Sequence, residues 1–118
     1  MILFQTGVAL AEALSIARAH GVDGKVLFET LTKGSADSFA LRNHGMKALL
    51  PETHPEKAFP VNYMMKDVGY ALELAQSAGL DLLGAGSAME LLSETKRMGL
   101  GEAYHTALIE AVRKRRVP

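Results

Sequence analysis

The chain has no cysteine, no tryptophan and only four prolines among its 118 residues. Without cysteine there is no disulfide framework, no thiolate zinc site and no cysteine nucleophile. It also lacks an excess of charge of either sign, because 13 Lys and Arg balance 13 Asp and Glu. That balance argues against a strongly basic nucleic-acid module and against an acidic tail. A long unbroken apolar run is missing too. The most apolar stretch, Met1 to Ala17, is interrupted by Gln5, Thr6, Glu12 and Ser15 and reads as too short for a bilayer crossing. No basic residue precedes it and Glu12 lies inside it, so it does not read as a signal peptide. The expectation is a cytoplasmic protein with no membrane contact. The length allows one domain and excludes a doubly wound nucleotide-binding domain with a second domain beside it. Hydrophobic residues at 48% and charged residues at 22% place the chain among globular sequences.

Glycine punctuates what is there. Gly21, Gly34, Gly45, Gly79 and Gly99 each follow a segment without internal proline, and glycine is favoured just past a helix because it reaches the left-handed region without a Cβ clash. This spacing predicts helices at about 1–20, 24–33, 36–44, 61–78, 85–98 and 102–115. Asp23 suits the N-cap of the second helix, Ser35 or Asp37 that of the third and Asn62 that of the fourth. No segment alternates as a half-buried strand does. The one substantial loop is the proline-rich stretch Pro51 to Pro60. The fold expected is therefore all-α, a bundle-like domain of about six helices spanning 1–118.

The first of these helices carries Ile2, Leu3, Phe4, Val8, Leu10, Leu14 and Ile16 around most of its circumference. A helix apolar on nearly all sides is normally buried on nearly all sides. Five short helices cannot easily surround it. Together with its uncapped start, this leads to two expectations: that Met1 opens inside what was a longer helix, and that helix one is largely buried, partly against a second copy in a homodimer or higher homo-oligomer.

The fourth predicted helix is amphipathic. Val61, Met64, Met65, Val68, Leu72 and Ala75 form one stripe, and Lys66 lies roughly 140° round from Val61. Tyr63, Tyr70 and Glu73 share its side, and Asp67 sits on the opposite shoulder. Taken alone, this is a solvated face, where lysine is common.

The segment Phe59-Pro-Val-Asn-Tyr-Met-Met-Lys66-Asp67-Val-Gly-Tyr-Ala71-Leu-Glu-Leu-Ala75 resembles the Phe-x6-Lys-Asp-Leu-x-x-Ala-x-x-x-Ala segment of the 3-hydroxyisobutyrate dehydrogenase (β-hydroxyacid dehydrogenase) family. Gly7-x4-Glu12-Ala13-x3-Ala17, Gly21-Val-Asp, Leu31-x-x-Gly34-Ser-Ala-x-Ser38 and Gly99-Leu-Gly101-Glu resemble further family segments in the same order. The resemblance covers essentially the whole chain and implies the helical C-terminal domain of such an enzyme. The family's N-terminal Rossmann domain, with its Gly-x-Gly-x-x-Gly turn, has no counterpart here, since Gly84-Ala-Gly86-Ser lacks the third glycine and the strand before it. The resemblance places the family's acid–base relay lysine upstream of Met1, so no catalytic residue is assigned within the chain. It implies that Lys66 contacts the cofactor, NAD or NADP, and that Phe59 and Asp67 line the substrate pocket. An ammonium is a strong donor for the nucleotide's polar atoms. A phenyl ring can cover a small substrate, and a carboxylate can accept from a substrate hydroxyl. The parent reaction implied is hydride transfer between NAD(P) and a small 3-hydroxyacid or its semialdehyde. The isolated chain is expected to bind no cofactor tightly and to be inactive. The alternative reading is a stand-alone helical module that dimerises or binds partners.

Other constellations carry less. His20, His44, His54 and His105 have no metal-ligand spacing, and no metal is expected. Ser35 and Ser38 lack a nearby base and a nucleophile elbow. The six methionines read as core filler. Arg113-Lys-Arg-Arg116 reads as a complement to the negative end of its own helix, and no nucleic acid is expected.

Overall fold

The apolar periodicity resolves into five α-helices and one π-helix in a computed structural model that describes all 118 residues. The α-helices are α1 (Ile2–Ala19), α2 (Gly24–Leu31), α3 (Val61–Ser77), α4 (Leu83–Thr95) and α5 (Leu108–Lys114), with the π-helix at Leu41–Leu49 between α2 and α3. A π turn at Lys96–Leu100 prolongs α4, and a 3-10 turn at His105–Ala107 leads into α5. There is no sheet. Two isolated antiparallel bridges, Glu56 to Ala103 and Pro60 to Tyr104, tie the proline-rich loop to the chain ahead of α5. The all-α expectation holds.

Helix α1 runs through the middle of the packing and touches α5, α4, the π-helix and α2. Phe4, Leu10, Ala11, Leu14 and Ala17 form its buried stripe. The first four of these meet Phe28, Leu41, Leu49, Val61, Met64, Val68, Leu92, Leu108 and Ile109 in one continuous core. The expectation that helix one is largely buried needs correction. Ile2 is 77% exposed and Ile16 is 64% exposed. The neighbours are too short to wrap it, α2 having 8 residues and α5 having 7, so one face is covered and the rest is partly open. Length also needs correction: the 18 residues of α1 are long and apolar enough to cross a bilayer on those two criteria alone. Its buried stripe, however, gives it the place of a core helix within this fold.

Three of the five punctuating glycines act as expected. Gly21, Gly79 and Gly99 have φ of 74°, 72° and 85°, closing α1, α3 and the turn after α4. Gly45 does not end a helix but lies inside one. A Cβ there would stand 3.3 Å from Leu41 and 3.4 Å from both Leu10 and Phe28, so the close approach of the π-helix to the core leaves only tight room for a side chain. The helix expected at 36–44 is therefore displaced to Leu41–Leu49. Gly34 closes a turn after α2 without a positive φ.

The caps divide similarly. Asp23 accepts from the backbone N–H of Lys25 at 2.8 Å, as expected. Ser38, rather than Ser35 or Asp37, accepts from Leu41 N–H at 2.9 Å, while Asp37 pairs with Arg42. Asn62 does not cap α3. Pro60 holds that position, and the Asn62 amide donates to Glu102 at 2.7 Å. The helix expected at 102–115 shortens to Leu108–Lys114 because Ala103 and Tyr104 are drawn into the two bridges. Of the basic C-terminal run, Arg113 pairs with Glu52 and Glu110, and Arg115 pairs with Glu90 and Glu94. Glu52 also receives Arg18 at 2.9 Å, so one carboxylate joins α1, the loop and α5.

Candidate functional site

The side chains of α3 that do not enter the core run along its whole outer face, and two of them group around Lys66. Met64 and Val68 face inward and are buried. The winding that buries them turns Tyr63, Lys66 and Tyr70 outward together. The Lys66 Nζ lies 5.5 Å from the centre of the Tyr63 ring and 5.9 Å from that of Tyr70. Phe59, in the loop just before the helix, meets Tyr63 edge to face at 5.3 Å and 76°. No carboxylate pairs with Lys66, although five other basic side chains, Arg18, Lys25, Arg42, Arg113 and Arg115, are engaged in ion pairs. Phe59 and Lys66, two of the three residues singled out from sequence, are thus brought together through Tyr63. The third, Asp67, is half-buried and stands apart. No hydrogen bond or ion pair joins it to Lys66, since adjacent helical residues diverge by about 100°.

The loop that carries Phe59 is anchored from behind. The His105 N–H donates to the Phe59 carbonyl at 3.0 Å, the Tyr104 N–H to that of Pro55 at 2.9 Å, and the Val61 N–H to that of Ala103 at 2.9 Å. These bonds fix where α3 starts, and hence where Lys66 stands.

Behind the same loop lies a second group of side chains that no local sequence signal reveals. His44 Nδ1 and the Tyr104 hydroxyl share a hydrogen bond of 2.7 Å, and His54 Nδ1 and the Thr106 hydroxyl share one of 2.8 Å. His105, only 3% exposed, packs against His44 at 4.8 Å and Tyr104 at 4.3 Å between ring centres, with Phe4 beyond it at 6.2 Å. The members come from positions 50 to 60 residues apart, which is why spacing could not predict their meeting. Burial, with His44 and His54 close by, pushes the His105 imidazole down to about 4. Burial also lowers His44 and raises the Tyr104 phenol. It lowers His54 against the opposing pull of Glu110 and Glu52. The cluster is accordingly neutral near pH 7. It forms no metal-ligating group. Its chemistry is that of packing and of loop anchoring.

An open groove between α1 and α5 is lined by Glu12, Ile16, Arg18, His20 and Arg116 among others. None of its residues belongs to the Lys66 cluster.

Residues 1–112 match the family described as NAD-binding of NADP-dependent 3-hydroxyisobutyrate dehydrogenase. A probable 3-hydroxyisobutyrate dehydrogenase-like 1, mitochondrial, of Arabidopsis thaliana is 32% identical over 109 residues, covering 92% of this chain and 32% of that protein. Glyoxylate/succinic semialdehyde reductase 2, chloroplastic, of the same plant is 31% identical over 116 residues, covering 96% of this chain and 31% of that protein. The chain thus spans about a third of the length of the curated relatives it matches. Among solved structures, 3-hydroxyisobutyrate dehydrogenase of Salmonella typhimurium superposes with a TM-score of 0.85 at 21% identity, over 92% of this chain and 38% of that one. That of Mycobacterium tuberculosis, solved with L-serine, gives 0.79 at 20% identity, over 96% and 40%. At these identities the superpositions show a shared fold.

Proposed function

This chain belongs to the family of the NAD-binding domain of NADP-dependent 3-hydroxyisobutyrate dehydrogenase, and from that premise we propose that it serves as the helical C-terminal domain of an NAD(P)-dependent 3-hydroxyacid dehydrogenase, presenting Lys66 to the cofactor. The observation that carries this reading is the exposed Lys66 ammonium, without a carboxylate partner and grouped with Phe59 on one side of α3.

The donor set fits an edge contact with a dinucleotide. An ammonium with available N–H groups suits oxygen acceptors, and exposed rings beside it suit a flat ligand. It does not fit a phosphate cradle, which needs several backbone N–H groups converging at a glycine turn and a helix N-terminus. That cradle belongs to a companion nucleotide-binding domain. When bound, the nicotinamide supplies the hydride chemistry. The residues of this chain bind and orient. Lys66 donates to the cofactor and does not relay the hydroxyl proton. Phe59 covers the small hydroxyacid and keeps water from it. Asp67 accepts a hydrogen bond from a substrate hydroxyl or orders a donor that does.

One lysine contact contributes about 1.5–3 kcal/mol, which does not offset the entropy lost on association. The isolated 118-residue chain should therefore bind NAD(P) more weakly than about 1 mM and should not oxidise 3-hydroxyisobutyrate. Joined to a nucleotide-binding domain of the family, it should support turnover. Calorimetry and a nicotinamide absorbance assay check both, and micromolar binding or turnover by the chain alone would refute the division of labour.

The exposed Ile2 and Ile16 favour a second reading that is compatible with the first: the domain pairs with its own copy along α1. Sedimentation of the isolated chain at tens of micromolar should then show a dimer, and a monomer would exclude the pairing at that concentration (about the range of a weak dimer).

A further inference from the structure

Lys66 is held between rings. Tyr63 lies three residues before it and Tyr70 four residues after, so helical winding sets all three on one exposed face of α3. Distances of 5.5 and 5.9 Å from ammonium to ring centre lie within the reach over which a ring face attracts a cation. Phe59 packs against Tyr63 at 5.3 Å, edge to face, a favoured arrangement of two rings. An exposed lysine ordinarily samples many rotamers. Rings on both sides narrow that choice. A carboxylate would hold the ammonium by occupying its N–H groups. A ring face holds it by charge and leaves those groups available.

We propose that Tyr63 and Tyr70, with Phe59 packed against Tyr63, are positioning residues that clamp the Lys66 ammonium over α3 with its N–H donors available to an oxygen acceptor of a nicotinamide dinucleotide. The ligand in this statement rests on the cofactor reading of Lys66 above, whereas the clamp stands on geometry alone. Because the attraction comes from the ring and not from the hydroxyl, phenylalanine should serve at either position and leucine should not. Tyr63 and Tyr70 act through Lys66 and touch no reacting atom.

The test uses the 118-residue chain with its lysines labelled with carbon-13 at Cε. A proton held over an aromatic face is shielded by the ring current, so the Lys66 ε signal, assigned by its loss in Lys66→Arg, should lie upfield of the other lysines. It should stay there in Tyr63→Phe and in Tyr70→Phe. It should move back among the others when Tyr63→Leu and Tyr70→Leu are combined. Both tyrosines are exposed, so the leucines leave the core intact, and an unchanged amide spectrum verifies this. Phe59→Leu should shift the signal part of the way. A Lys66 signal lying among the other lysines in the unaltered chain would overturn the clamp, as would one unmoved by the double leucine variant. Loss of the shift in Tyr63→Phe would overturn it as well, by assigning the hold to a hydroxyl. None of these outcomes depends on cofactor binding. A clamped lysine whose removal leaves NAD(P) kinetics unchanged would instead refute the cofactor reading and leave the clamp standing.

Discussion

Phe28→Ala should destabilise the domain by about 3–5 kcal/mol, a large part of the 5–15 kcal/mol typical of a folded domain. Phe28 is the largest fully buried side chain. It fills the space where the π-helix comes closest, its ring edge lying 3.4 Å from where a Cβ on Gly45 would stand. Removing the ring leaves a cavity between α2, α1 and the π-helix that these short, mutually braced elements cannot close. Urea unfolding should show a lowered midpoint with an unchanged slope. A loss below about 1 kcal/mol would mean that the π-helix collapses into the gap and that the packing described for it is not unique.

Acid should destabilise the protein well above the pH at which carboxylates titrate. His105 is folded into the core with its imidazole held down to about 4, first by burial and then by the neighbouring His44 and His54. In the unfolded chain it titrates near 6.5. A base whose folded value is depressed contributes stability that is fully present above 6.5. That stability is lost as pH falls from about 6.5 through about 4. The gap corresponds to about 3 kcal/mol at the acid end of that window. His44 and His54, also lowered, act in the same direction. Asp37, held below its usual range by Arg42, acts in a separate window below 3.8. Thermal unfolding between pH 7.5 and 4.5 should show a steady fall in Tm that is much reduced in His105→Gln. A flat profile would mean that water reaches the imidazole and that the loop anchor is looser than its hydrogen bonds indicate.

Much of this architecture is legible without coordinates. Positive φ at Gly21, Gly79 and Gly99 marks real helix ends, and Asp23 is a real cap, because both rest on local backbone chemistry. Gly45 misleads because its lack of a side chain answers a tertiary demand, the nearness of Leu10, Leu41 and Phe28. Ala103 and Tyr104 leave the helical register for a similar reason, their bridges running to a loop more than forty residues away. Helix α1 is apolar around its girth, but how much of it is covered depends on the lengths of its neighbours, which periodicity along α1 cannot report. The grouping of Tyr63, Lys66 and Tyr70 is readable because three- and four-residue spacings on one helix are local. Phe59 joins them only because loop bonds to His105 and Tyr104 set where α3 begins. The histidine cluster was invisible for the same reason that it is stable. It is assembled from distant segments, and neither hydrogen bonding nor burial leaves a trace in spacing.

The central claim is that this domain contributes Lys66 to a cofactor whose phosphates are held elsewhere. The most direct measurement is steady-state kinetics of Lys66→Ala in a full-length dehydrogenase built on this domain, with NAD(P) and hydroxyacid varied separately. Loss of one charge-assisted contact of about 1.5–3 kcal/mol should raise KM for NAD(P) about ten- to hundredfold, with KM for the hydroxyacid nearly unchanged. Asp67→Ala should show the reverse pattern, and Phe59→Ala should raise KM for the hydroxyacid and, by loosening Tyr63 beside Lys66, to a smaller extent that for NAD(P). Unaltered NAD(P) kinetics in Lys66→Ala would return the lysine to an ordinary solvated face and contradict the account.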